Sequence, residues 1–260
     1  MELFNMIFNK AQIYNMLFLN IKAVTEYPDI AMLKGERPDL YESWMHICDK
    51  AEIENDVLAR AEYYLKKAPY HPEFCKIIAI TTGIARNDNG VLKRTLQMFS
   101  GNDELENVKK FREYLLRLQK ESSDANVKYM HTLCGHNITG YDIPLLLKKL
   151  VLYRKEIELS EDSIIPKILK EYLCAKPWEC NVVDTINMWK FGGYEYSTLM
   201  LISDYLELKR KEDLITHDEL SKYYWTNIGE KPEETINYIT SQSLNQINFV
   251  FQVVNEMRRL

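Results

Sequence analysis

The stretch Val127-Lys128-Tyr129-Met130-His131-Thr132-Leu133-Cys134 runs directly into Gly135-His136-Asn137-Ile138-Thr139-Gly140-Tyr141-Asp142-Ile143-Pro144. Its first half is short and apolar, the pattern of a buried strand. Two glycines and an asparagine then punctuate the chain, and the leucine-rich text after them predicts a helix from about Pro144 to Tyr153. A strand that turns straight into a helix is the opening of a βαβ unit, so this segment predicts an α/β protein with parallel strands.

The text on either side extends that reading. Upstream, Ile13–Val24 contains the apolar core MLFLNI and predicts a first buried strand. Residues 28–70 change to charged, helix-forming text in which Leu40, Trp44, Ile47 and Cys48 recur at three- and four-residue steps, and predict a helical insertion. FCKIIAITTGIAR and VLKRTLQMF flank Asn87-Asp88-Asn89-Gly90, a hairpin signature. Asp103–Gln119 predicts an amphipathic helix with Leu105, Val108, Phe111, Leu115 and Leu118 on one stripe. Downstream, NVVDTINMW predicts another short strand, Ser197–Leu206 a helix, and Pro232–Arg259 a long final helix. An antiparallel meander that continues into βαβ units gives one domain, residues 1–260, with a mixed sheet covered by helices.

Composition narrows the function classes. The chain has 260 residues, 46% hydrophobic and 27% charged, with a net charge of −5. That is the composition of a folded, soluble protein, and it excludes one that coats nucleic acid by bulk electrostatics. Local basic clusters remain at Lys109, Lys110 and Arg112, at Lys148, Lys149, Arg154 and Lys155, and at Lys209, Arg210 and Lys211. Their ordinary reading is a solvated helix face. Five cysteines, an odd number with no CxxC pair, argue against a disulfide framework. No apolar run approaches the ~18 residues of a membrane span, and Met1–Asn20 lacks the layout of a secretory signal, so a cytoplasmic protein with no membrane partner is expected. The histidines lack zinc-protease spacing, and no P-loop or GxGxxG occurs.

The nonapeptide His136–Pro144 closely resembles the second motif of the 3'-5' proofreading exonucleases in the ribonuclease H-like (DEDD) superfamily, in particular the exonuclease domain of family B DNA polymerases. His71-Pro72-Glu73-Phe74-Cys75-Lys76-Ile77-Ile78 resembles the phrase that opens that family's second strand, and Val182-Val183-Asp184-Thr185 the strand before its last catalytic helices. The resemblance implies a ribonuclease H-like mixed sheet with a helical insertion after the first strand. It also implies an ancestral metal-dependent exonuclease acting on DNA.

Two-metal phosphodiester hydrolysis needs several carboxylates converging on hard cations. The resemblance places them at Asn20 and Lys22 on the first strand, Asp142 in the second motif and Gln246 in the last helix, with Gln242 opposite the tyrosine that orients water. A shift of one residue would put Asn245 in the place of Gln246. Of the four expected carboxylates only Asp142 remains. An ammonium group at Lys22 repels Mg²⁺ or Mn²⁺: a unit pair ~4 Å apart at an effective dielectric of ~20 interacts by about 4 kcal/mol, and a divalent ion feels twice that.

These departures imply a pseudoenzyme with no resident metal or other cofactor, in which Lys22 lies near Asp142 as a fixed substitute for a cation. The implied partner is nucleic acid, foremost single-stranded DNA or a 3' end, or else a replication protein. The expected binding positions are Asn20, Lys22, Asn137, Tyr141, Gln242 and Gln246, with Trp189, Phe191, Tyr194 and Tyr196 around the cleft. Two alternatives stand beside it: a structural interaction scaffold, and an active exonuclease using Mg²⁺ or Mn²⁺ at a rearranged site on Asp142 and Asp184.

Overall fold

Ten consecutive buried residues, Met16–Thr25, form the central strand β1. A strand buried on both faces needs helices above and below it, and the chain supplies them. The computed structural model describes residues 13, 16–88, 91–124, 132–157, 165–174, 182–209 and 212–257. After β1 come helices α1 (Ile30–Glu36), α2 (Pro38–Lys50) and α3 (Val57–Lys67), then a 3₁₀ turn at Ala68–Tyr70. Strands β2 (Cys75–Asp88) and β3 (Val91–Ser100) follow, then α4 (Glu104–Asp124), β4 (Thr132–Gly135), α5 (Asp142–Leu152), α6 (Lys167–Cys174) and β5 (Val182–Asp184). The described chain ends with α7 (Thr185–Trp189), α8 (Leu199–Tyr205), α9 (His217–Asn227) and α10 (Pro232–Met257).

The five strands lie in the order β3-β2-β1-β4-β5. β1 pairs antiparallel with β2 and parallel with β4, β2 pairs antiparallel with β3, and β4 pairs parallel with β5. The antiparallel pairing of β2 and β3 runs as far as Asp88↔Val91, and Asn89-Gly90 of the expected hairpin turn lies outside the described residues. Strand alternation sends Leu17, Leu19 and Ile21 to one face, where Val108, Phe111 and Leu115 of α4 and the leucines of α5 cover them. Met16 and Phe18 face the other way, against Phe249, Val250 and Val253 of α10 and Ile202 of α8. The helices between β1 and β2 pack around Trp44 and Tyr64 in an apolar cluster of their own.

Buried polar contacts tie the first of these faces together. The Glu104 carboxylate, at the start of α4, accepts from Ile77 N–H (2.6 Å) and from the Tyr153 hydroxyl (2.6 Å). Lys149 Nζ lies 3.1 Å from it, and both side chains are buried.

Several elements differ from the sequence expectation. The helix expected from Pro144 begins at Asp142, because proline is tolerated within a first helical turn. In the described part of NVVDTINMW, residues 182–189, strand covers Val182–Asp184: the Asp184 side chain accepts from Ile186 N–H and caps α7, turning the β-branched text into helix. α6 and α9 were not expected. The proposed strand residues Val127–His131 lie outside the described residues, as do Arg258 and Arg259 of the expected last helix.

Candidate functional site

The polar residues of β1 follow from its alternation. Beyond Met16 and Phe18 on the α10 face come Asn20 and Lys22, both buried. α10 meets them with residues one helical turn apart. Ser243 Oγ donates to Asn20 Oδ1 at 2.9 Å, and Lys22 Nζ donates to Gln246 Oε1 at 2.8 Å. The structure thus brings Asn20, Lys22 and Gln246 together in the register expected for Gln246. Asn245 reaches away, donating to the Glu212 carbonyl at 2.9 Å.

Asp142 approaches β1 through the backbone. Among the described residues β4 pairs with β1 over Met16–Phe18, and further along β1 Ile21 N–H donates to Asp142 Oδ1 at 2.6 Å. Gly135, at the end of β4, makes this junction possible: a Cβ there would sit 3.0 Å from the Leu19 carbonyl oxygen and 2.8 Å from Ile138 Cβ. The turn from Gly135 to Asp142 is moulded on a second carboxylate. Asp184 accepts from Asn137 N–H (2.8 Å), Thr139 N–H (3.0 Å), Thr139 Oγ1 (2.6 Å) and Ile186 N–H (3.1 Å). These four bonds hold Asn137 in the left-handed region at φ +58°. They also use both oxygens of Asp184, so the rearranged metal site considered for Asp142 and Asp184 has no free second carboxylate.

Burial dominates the electrostatics. It pulls the Lys22 ammonium down to about 8, partly opposed by the negative charge of Asp142. It pushes the Asp142 carboxyl up to about 8, against the Ile21 N–H bond and the charge of Lys22. The two groups sense each other without a direct ion pair. His217 is pulled down to about 3 by burial and by the Lys22 charge, and its Nδ1 lies 3.1 Å from the Ala23 carbonyl oxygen. A carbonyl accepts only, so Nδ1 carries the proton.

These donors do not fit a pair of divalent metals. Such ions need converging anionic oxygens, and the cluster offers two amides, one carboxylate already holding a backbone N–H, and an ammonium group. Among the described residues no three His, Cys, Asp or Glu side chains converge as a metal site.

The other expected positions are scattered by burial. Tyr141 lies in the core, its hydroxyl donating to the Pro69 carbonyl at 2.9 Å and its ring against Tyr70 and His217. Gln242 is 2% exposed; its Nε2 donates to Glu212 Oε2 at 3.3 Å, while its Oε1 is buried without a partner. Asn137 is exposed. After β5, Phe191, Tyr194, Tyr196 and Tyr205 face solvent, Tyr194 at 95% and Tyr196 at 70%. Trp189 bridges Phe191 and Tyr205, and Lys190 Nζ lies 3.5 Å over the Tyr196 ring. By contrast, Tyr224 and Trp225 are packing residues: Lys76 covers both rings, and Trp225 donates to Thr25. The roles of Glu212, Ser243 and His217 were not foreseen in the sequence. The Thr216-x-x-Glu219 capping box was the available signal for α9.

Comparison of the chain with protein-family models, with curated proteins and with solved structures found no match.

Proposed function

We propose that this chain is a ribonuclease H-like protein of the 3'-5' exonuclease type whose hydrolytic centre has been replaced by a fixed ammonium cluster, and that it binds single-stranded DNA without cleaving it. The observation that carries this reading is Lys22 Nζ on Gln246 Oε1, with Asp142 as the facing charge. By the resemblance all four residues of that cluster stand where an active relative would have metal-binding acids, and three of them carry no carboxylate. The strand order and directions are compatible with the ribonuclease H-like architecture.

A binding role draws support from the exposed rings after β5. The parallel strands β4 and β5 end level with the middle of β1, at the carboxyl side where open α/β sheets take their ligands, and the chain that bears the rings leaves from the end of β5. Rings presented to solvent offer faces on which unpaired bases stack, an interaction indifferent to sequence.

The test is fluorescence anisotropy with a labelled oligodeoxynucleotide at several salt concentrations, run beside incubation of the same 3'-labelled strand with Mn²⁺. Binding that weakens as salt rises and a strand that stays full length are expected. Shortening that Asp142→Ala abolishes would establish the active alternative, and absence of binding at low salt would remove the nucleic-acid reading. Asn20→Asp, Lys22→Glu and Gln246→Asp together are expected to create a Mn²⁺ site measurable by calorimetry.

A further inference from the structure

Lys22 is 2% exposed. Beside it on β1 runs the segment that leads into α9: Leu214 packs with the cluster of Phe18 and Ile247, and Ile215 with that of Val24 and Ile239. This segment is held unequally at its two ends. At the α9 end, Thr216 and Glu219 form a reciprocal capping box, the His217 ring bonds the Ala23 carbonyl, and Ser221 Oγ accepts from Thr25 N–H at 3.1 Å. Between the ends Leu214 and Ile215 are only partly buried, and at the other end the polar hold is Glu212, an exposed residue: its carboxylate accepts from Gln242 and its carbonyl from Asn245. These two amides belong to the same stretch of α10 as Ser243 and Gln246, which bind Asn20 and Lys22.

We propose that Glu212–His217 is a strap across the cleft, latched to α10 by Glu212 and hinged at α9, and that its release admits a ligand to Lys22, Asp142 and Gln246. In the closed state two acceptors of Glu212 take the amide hydrogens that a phosphate would otherwise take, and the acidic side chain repels a phosphate that approaches. The closed arrangement is also incompletely satisfied. Gln242 Oε1 stays buried with no donor, a cost that a ligand or water carrying an N–H or O–H into the opened cleft removes. The choice of nucleic acid as that ligand rests on the function proposed above; the strap itself does not.

The experiment therefore has one arm without ligand. Brief acetylation with acetic anhydride, read by mass spectrometry, compares Lys22 with the exposed Lys34 in the wild-type protein and in Glu212→Ala/Asn245→Ala. The latch consists of two hydrogen bonds of ordinary net strength at the surface, so its loss is expected to raise relative labelling of Lys22 by roughly tenfold. An unchanged ratio overturns the strap. Should the double variant unfold, Glu212→Ala alone is used, with an expected rise of about threefold for one such bond; an unchanged ratio is again fatal.

In the second arm, oligonucleotide affinity by anisotropy is expected to tighten in the variant by a factor similar to the gain in labelling. Faster labelling with no DNA binding in either protein upholds the strap and rejects the DNA reading. DNA binding in both proteins with equal affinity and equal labelling rejects the strap and leaves the DNA reading standing.

Discussion

Replacing Asp184 by asparagine separates a structural carboxylate from a latent metal ligand. In the folded chain Oδ1 accepts from Asn137 and Ile186 N–H, and Oδ2 from the Thr139 N–H and hydroxyl. Asparagine keeps one acceptor oxygen, so the first two bonds persist in neutral form. Its NH₂ group meets the Thr139 N–H donor to donor. The Thr139 hydroxyl can rotate and accept from the new amide, but the N–H cannot. One stranded backbone donor costs about 1–3 kcal/mol, and conversion of two charge-assisted bonds to neutral ones costs about 1 kcal/mol more, giving a loss of roughly 3 kcal/mol.

Urea unfolding followed by circular dichroism measures this. With an m-value of roughly 3 kcal/mol/M, the midpoint of Asp184→Asn falls by about 1 M with unchanged slope. Hydrogen exchange at Thr139 should accelerate with it. A variant within about 0.5 kcal/mol of the wild type, well inside the range of neutral surface changes, would refute the reasoning: the carboxylate would not be organising the turn and would again be free to bind a cation.

Two further predictions concern buried charge. Glu104→Ala leaves Tyr153 and the Ile77 N–H without this acceptor and Lys149 with the Cys75 carbonyl but no counter-charge, and removal of one partner from a buried ion pair costs about 3–5 kcal/mol; a melting curve close to the wild type would show that the pair is not desolvated. The Lys22–Asp142 couple makes stability depend on pH in two windows. Asp142 is raised from 3.8 to about 8 on folding, so its contribution is complete below the unfolded value and is lost as pH climbs toward 8. Lys22 is lowered from 10.5 to about 8, so the folded state sheds a proton that the unfolded state keeps, and stability recovers between those values. Denaturant titrations at pH 5, 7, 9 and 10 are expected to show the first trend removed in Asp142→Asn and the second in Lys22→Met; differences that stay flat with pH contradict the burial of this couple.

The motif resemblance names Asn20, Lys22, Asp142 and Gln246, and two periodicities account for the meeting of those on β1 and α10. Residues two apart on a strand share a face, which puts Asn20 with Lys22. Residues three and four apart on a helix share a face, which puts Gln246 with both Ser243 and Gln242. What local pattern could not supply was the competition for those side chains. Tyr141 has the composition of a stacking residue, but its hydroxyl finds the Pro69 carbonyl and its ring is enclosed. Val182-Val183-Asp184-Thr185-Ile186 reads as continuous strand, and only a cap bond from Asp184 to the backbone two residues on stops it. The partner of Gln242 and Asn245, Glu212, lies 30 and 33 residues away in the chain, a tertiary pairing with no local signature.

On the proposed reading, charge balance explains why the departures from the exonuclease motif come together. Four carboxylates balance two divalent cations charge for charge, and such a site is stable only when loaded. One carboxyl and one ammonium group need no divalent cation to balance them. Lys22 set among three intact acids would leave the pocket anionic yet obstructed. The amides at Asn20 and Gln246 without Lys22 would remove the positive charge that opposes burial at Asp142, whose carboxyl already stands at about 8, and drive it further to the protonated form. Each substitution is tolerable because of the others, so reversal of Lys22 alone restores neither metal binding nor the present stability, and all three positions must change together.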